Sequence, residues 1–245
     1  IHLNHSMRGA ESKRDFIFVK ALAKNMGLKF IGNTVNAPEI IKKEKGSAQD
    51  IARNIRYNFF EDAAKKYKAG KIATAHTLDD NAETVLMRII KGTSLKGLRG
   101  IPFARGIFIR PLLEIKKAEI ERYAKQNKIK FIADSSNKST KYLRNKLRLK
   151  LLPVLQKYNP RVKQELARLA MSAGRDEDYL EQETEKAYKK ALLDSGKNNA
   201  VFNLNKINKL PDALKTRIFL KAIECLKGES SGFYSYHLED ILNLI

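Results

Sequence analysis

Thr74-Ala75-His76-Thr77-Leu78-Asp79-Asp80-Asn81-Ala82-Glu83-Thr84 is the stretch that decides the fold. Upstream, Lys71 to Thr74 reads as a short buried strand. Downstream, Ala82, Val85, Leu86, Ile89 and Ile90 recur at helical spacing, so a helix is expected to begin near Asp79. At ~100° per residue, Asp80, Glu83, Thr84 and Met87 share the flank opposite that apolar face. Two carboxylates and a histidine therefore stand where a strand ends and a helix begins, the place where open α/β sheets bind ligands. A polar first turn, favoured by capping and the helix dipole, accounts for the acids equally well at this point.

The same alternation extends to either side. Residues 1–4 read as the end of a strand, followed by a helix over 11–26 with Phe16, Val19, Ala23 and Met26 on its buried stripe. A strand over 29–35 and a polar stretch over 37–46 come next. Ser47-Ala48-Gln49-Asp50 then resembles a capping box that opens a helix bearing Ala52, Ile55, Phe59, Ala63 and Tyr67. After the helix at 79–91 come a glycine-containing loop (Gly92, Gly97, Gly100), a strand at 107–109, a helix over 115–127 and a short strand at 129–132. Strands alternating with helices imply a doubly wound α/β domain with a mostly parallel sheet.

Strand patterning nearly stops after residue 138. A basic helix is expected over 142–156, a long helix over 161–193 closed by Asp194-Ser195-Gly196, a small strand at 201–204, a helix through Cys225 and a last one over 237–245. The expected organisation is a nucleotide-binding domain over 1–138, a connecting basic helix over 139–160 and a smaller helical domain over 161–245.

With 48 basic against 27 acidic residues the net charge is +21, spread along the chain. Such a surface attracts polyanions, nucleic acid foremost, although a lysine-rich surface also serves solubility alone. The single cysteine, Cys225, excludes an intramolecular disulfide and an all-cysteine zinc site. It also argues against sulfur transfer that needs cysteine pairs. No apolar run approaches a membrane span and residue 1 is not followed by a signal-peptide layout, so a cytoplasmic protein is expected. A doubly wound nucleotide domain normally opens on a strand and a glycine-rich phosphate loop. No such loop occurs before Gly92, so a strand–loop–helix unit of about 30 residues is expected upstream of residue 1.

Five stretches taken in order carry a family resemblance. They are His2-Leu3-Asn4-His5-Ser6-Met7-Arg8, Ala52-Arg53-Asn54-Ile55-Arg56-Tyr57, the Thr74–Thr84 stretch, Arg110-Pro111-Leu112-Leu113, and Asp134-Ser135-Ser136-Asn137 with Arg144-Asn145-Lys146-Leu147-Arg148. Together they resemble the tRNA(Ile)-lysidine synthetase family of N-type PP-loop ATPases, closely over about residues 1–160. The family's Ser-Gly-Gly-x-Asp-Ser loop is not in the chain, and Thr77 stands where relatives often carry a second histidine.

The resemblance implies ATP-dependent adenylation of the wobble cytidine of tRNA(Ile) with a CAU anticodon. Attack of the lysine ε-amine then gives lysidine, AMP and pyrophosphate. ATP and Mg²⁺ are the implied cofactors, tRNA and free L-lysine the implied partners, with a homodimer left open. It implies ATP-binding roles for Asn4, His5, Arg53, Arg56 and His76, and a catalytic role for Arg56, Asp80, Glu83 and Arg148. Asp80 and Glu83, one turn apart, suit a lysine substrate that must be held and must lose a proton. Arg53 and Arg56 suit phosphate neutralisation; a solvated helix face is the plainer alternative. Contact with tRNA is assigned to Arg88, Lys91, Arg144, Asn145 and Arg148, against the alternative of an exposed basic linker helix. No metal ligand is assigned, because His2, His5, His76, Asp79 and Asp80 fit no common zinc spacing. Tyr57, Phe59 and Phe60 are expected in the core. The rival readings are another tRNA-modifying enzyme of this fold, such as a thiolase, and a non-catalytic RNA-binding module.

Overall fold

The computed structural model describes residues 1–132, 140 and 142–227. Two compact units divide the chain: Ile1–Glu83 with Pro102–Lys163, and Thr84–Ile101 with Gln164–Ile245.

In the first unit, β1 (His2–Asn4) crosses through α1 (Ala10–Asn25) to β2 (Gly32–Thr34) and pairs with it in parallel, His2 opposite Gly32. Then follow α2 (Ala37–Lys43) and α3 (Ala48–Tyr67), which opens after an extended Ser47 and closes on Lys68 in the left-handed region. β3 (Ile72–Ala73) leads into α4 (Leu78–Lys91), and β3 pairs in parallel with β5 (Phe108–Ile109). β4 (Ala104–Arg105) folds back on β5 as an antiparallel hairpin whose turn uses Gly106 at φ +58°. α6 (Lys117–Gln126), α7 (Leu143–Lys146), a π-helical turn (Leu147–Leu151) and α8 (Leu152–Tyr158) complete the unit. Parallel pairs linked through helices are the expected α/β class. Ala64, Ile72 and Phe108 form a core cluster with Tyr57, Phe60 and Ile107 against it. Tyr57 and Phe108 meet at 4.7 Å between ring centroids, so these aromatics pack as expected.

The second unit holds α4 from Thr84 on, α5 (Leu95–Leu98), the long α9 (Val162–Ala191) from Gln164 on, an antiparallel β6–β7 hairpin (Leu192–Ser195 with Ala200–Phe202), α10 (Leu204–Asn208) and α11 (Asp212–Lys227). Its core is Tyr188, Ala191, Ile207, Ile218 and Ala222. Glu177 is buried there and receives a two-pronged ion pair from Arg217, at 2.9 and 2.6 Å.

Several expectations need correction. Residues 129–132 form no strand: Lys128 turns left-handed, Ile129 N–H closes α6 onto the Ala124 carbonyl, and Ile129 and Phe131 are exposed. The long helix stops at Ala191 because Leu192–Ser195 pairs as a strand. The polar stretch after Asn36 contains α2, started by Pro38 in its first turn. Met26, Ile89 and Ile90 are exposed rather than on buried stripes. The helix expected over 237–245 lies outside the described residues.

Candidate functional site

The head of α4 is built by a reciprocal cap. Asp80 Oδ2 accepts from Thr77 N–H at 2.9 Å and from the Thr77 hydroxyl at 2.8 Å, while Asp80 N–H lies 3.3 Å from that hydroxyl. Thr77 thus has the work of a helix cap, worth about 1 kcal/mol. Asp79, its neighbour, ties two other elements together: Oδ1 receives Lys163 at 2.7 Å and Oδ2 receives the Lys117 N–H at the start of α6 at 2.8 Å. Burial pushes the Asp79 carboxyl up, but these donors outweigh it and hold it below its ordinary value.

One turn further on, Glu83 is 2% exposed and is met by two guanidiniums. Arg148 forks onto it, Nε to Oε1 at 2.5 Å and an amino nitrogen to Oε2 at 2.8 Å. Arg144 Nε adds a bond to Oε2 at 2.8 Å, and the same guanidinium reaches Asp80 Oδ1 at 3.0 Å and the Asp80 carbonyl at 3.2 Å. Arg148 also stands 3.5 Å from Asp80 Oδ1. Hydrogen bonding to Glu83 raises the Arg148 guanidinium above its ordinary value against the effect of burial. Leu147 and Leu152 are buried, anchoring the segment that carries both arginines. Arg148 sits within the π turn, a local widening of the helix that often accompanies functional positions. The structure therefore brings Asp80, Glu83, Arg144 and Arg148 into one cluster, and a carboxylate pair that the sequence presented alone is already neutralised.

Two histidines of the first unit sit in environments that strip their charge. His76 Nδ1 is 3.0 Å from the Thr74 hydroxyl oxygen. Burial pushes its imidazole down to about 4, with Asp80 opposing and Arg110, Arg53 and Arg144 adding to the fall. His5 is lowered by burial and then by Arg56 and His2, and its buried Nδ1 has no partner among the described residues. Arg56 is itself lowered by burial and by Arg53, and no ion pair forms with it among the described residues. Arg53 lies over the Tyr57 ring at 4.6 Å and donates to its hydroxyl at 3.0 Å. Asn4 is buried, its side-chain oxygen accepting from Ser6 N–H at 2.9 Å.

Of the residues expected to contact tRNA, Asn145 is half-buried beside Arg144. Arg88 and Lys91 belong to the other unit. There the Arg88 guanidinium clasps the Gly97 and Gly100 carbonyls at 2.6 and 3.0 Å, holding the loop around α5; Lys91 is exposed. Asp134-Ser135-Ser136-Asn137 lies outside the described residues. Two residues of the first unit carry no site role in the sequence analysis: Lys163, which pairs with Asp79, and Arg110, present there only within a family stretch. Arg110 is 3% exposed, donates to the Pro102 carbonyl at 2.8 Å and leaves its Nε without a partner among the described residues. A cation set between the apolar Ile107-Phe108-Ile109 and Pro111-Leu112-Leu113 was the available signal.

Among the described residues no helix is long and apolar enough to cross a membrane. The model of the PP-loop domain matches residues 1–155. The chain is 37% identical to the tRNA(Ile)-lysidine synthase of Clostridioides difficile (strain 630) and 36% identical to that of Caldanaerobacter subterraneus subsp. tengcongensis. These alignments take in 99% and 100% of this chain and 53% and 52% of those proteins, so the chain spans about half the length of the curated relatives it matches. Among solved structures it is similar in fold to a U34-tRNA thiolase, NcsA, from Methanococcus maripaludis. The TM-score is 0.55 at 20% identity, over 69% of this chain and 59% of that one. Parallel strands joined through helices, acids at a strand-to-helix junction and a family match over more than half of the sequence agree: the chain belongs to the PP-loop domain family.

Proposed function

We propose that the protein is an ATP-dependent tRNA(Ile)-lysidine synthetase. It would adenylate the wobble cytidine of tRNA(Ile) bearing a CAU anticodon and transfer lysine to it through the ε-amine, releasing AMP and pyrophosphate. The observation that carries this reading is the Asp80–Glu83–Arg144–Arg148 cluster, in a chain aligned over almost its whole length with lysidine synthases. Two carboxylates and two guanidiniums make a nearly neutral site, and free lysine brings a carboxylate and two ammonium groups. Such a ligand exchanges partners with the cluster without leaving a buried charge alone, the outcome that costs most. Asp80 and Glu83 hold amino groups; Arg144 and Arg148 take the carboxylate or an oxygen of the reacting nucleotide.

The neighbouring groups suit ATP. Arg56 and Arg53 are cations without ion-paired carboxylates among the described residues, and His5 carries a buried nitrogen with no partner. Phosphates supply the missing negative charge, and ATP donates the adenylyl group that activates the cytidine oxygen while pyrophosphate leaves. Mg²⁺ accompanies the nucleotide phosphates in this reading. His76, held neutral by burial, adds no further positive charge beside Arg110, Arg53 and Arg144.

The reading is tested by incubating the protein with ATP, labelled lysine and tRNA(Ile) with a CAU anticodon. The expected result is ATP-dependent label in the tRNA. No label, with another base modification or RNA binding alone, rejects the reading.

A further inference from the structure

A cleft of about 770 Å³ lies in the first unit between α3 and the β4–β5 hairpin, and no role above accounts for most of it. Arg53 and Arg110 line it, as do Lys65 and Lys68 on and just after the last turn of α3 and Arg105 on the hairpin. Among the described residues Glu61 is the only carboxylate in its wall. Among the described residues, Arg53, Lys65, Lys68, Arg105 and Glu61 make no ion pair. Five cations thus share one concave surface with little compensation, an arrangement that concentrates positive potential and disfavours itself until an anion arrives. Lysines at a helix C-terminus are explained by the helix dipole. Arg105 arrives from a different element, and Arg110 brings a buried, partnerless Nε to the same wall, so the dipole does not explain the set.

Size and lining narrow the ligand. From Arg53 to Lys68 the helix runs about 22 Å at 1.5 Å per residue, a reach of several phosphates. The exposed lysines, flexible and strongly hydrated, suit backbone phosphates rather than a single fixed anion. Tyr57 and Phe108 are turned to one another, and Arg53 covers Tyr57, so no aromatic face offers a base-reading platform.

We infer that this cleft binds a stretch of RNA sugar–phosphate backbone without reading its sequence, through Lys65, Lys68 and Arg105, as a surface additional to the acid–arginine cluster. The inference draws on the proposed function only in choosing RNA as the polyanion.

The test is a variant with Lys65→Gln, Lys68→Gln and Arg105→Gln, three exposed positions where the fold has little at stake. A control variant carries Lys13→Gln, Lys20→Gln and Lys24→Gln on the exposed face of α1. Affinity for tRNA and for a short oligouridylate is measured over a salt series, with ATP affinity measured in parallel. The cleft variant is expected to bind both RNAs at least ~10-fold more weakly at moderate salt, and to flatten the log–log salt slope by about two to three. The control variant should change the slope less. Unchanged RNA affinity and slope in the cleft variant overturns the inference. So does equal loss in the α1 control, which means diffuse charge, or loss of ATP affinity alone, which means a nucleotide site. Lysine transfer is scored separately: loss of oligouridylate binding in a protein that never forms lysidine upholds the cleft while rejecting the proposed function.

Discussion

Glu83 and Glu177 are equally deep, each with a side chain 2% exposed, yet they are held in opposite ways. Among the described residues Glu177 on α9 has one partner: Arg217 on α11 places one amino nitrogen on each carboxylate oxygen, and the pair is complete in itself. Glu83 has two arginine partners among the described residues, and both also reach Asp80 Oδ1, Arg144 at 3.0 Å and Arg148 at 3.5 Å. A matched fork closes on itself and ties two helices together. In a network of two acids and two arginines each arginine reaches both acids, so no pair is complete in itself. The same chemistry yields a self-contained fastener in one unit and a shared four-residue network in the other, and it is the second that the proposed function takes as a binding site.

The comparison breaks most sharply at Arg217. Arg217→Met strands a buried carboxylate, and the expected loss of stability is about 3–5 kcal/mol by urea denaturation. Adding Glu177→Gln should recover much of that loss; if it does not, the pair is not what fastens these helices. At Arg148 the order of effects reverses. Arg148→Lys leaves Arg144 on Glu83 and should cost under about 1 kcal/mol of stability, but it removes the fork. Turnover with saturating tRNA, ATP and lysine should fall about 100-fold. Full turnover, or unfolding on the scale expected for Arg217, would place Glu83 in the same structural class as Glu177.

The smallest effect concerns protons. His76 has a folded-state pKa of about 4 against an ordinary 6.5, so the unfolded chain binds its proton more readily. Stability from this group is complete above pH 6.5 and is lost as pH falls toward 4. His76→Gln should flatten that acid-side decline by about 1 kcal/mol, allowing for solvent screening of a half-buried ring. Urea midpoints at several pH values across the window check it, and an unchanged slope would mean the imidazole is not the group responsible.

What the sequence reveals follows from how far each interaction reaches. The capping pattern Thr77-Leu78-Asp79-Asp80 and the start of α4 are local, and they appear where the residues place them. Arg144 and Arg148 are recognisable as a pair four residues apart, but their landing on Glu83, more than 60 residues away, leaves no periodic trace. The hairpin strand Ala104–Arg105 is two residues long, too short for alternation to register. Ile129 and Phe131 carry strand-like composition without a neighbouring strand among the described residues, so propensity misled there. Ile89 and Ile90 extend the apolar run of α4 past the part that is covered.

The π turn at Leu147–Leu151 places a constraint on how this gene can change. One residue more than an α-helix requires is accommodated there, so the arginines before and within it and buried Leu152 after it keep their separate facings. Deleting the codon for Leu149 or Lys150 would let the helix regularise with Arg144 and Leu152 still in phase, because the π turn already absorbs the extra residue locally. Substitutions among the exposed members, such as Leu149 or Lys150, leave the phase intact. The turn can therefore lose one residue without re-aiming its flanks, whereas one more residue wound in as α-helix would turn one flank against the other by ~100°.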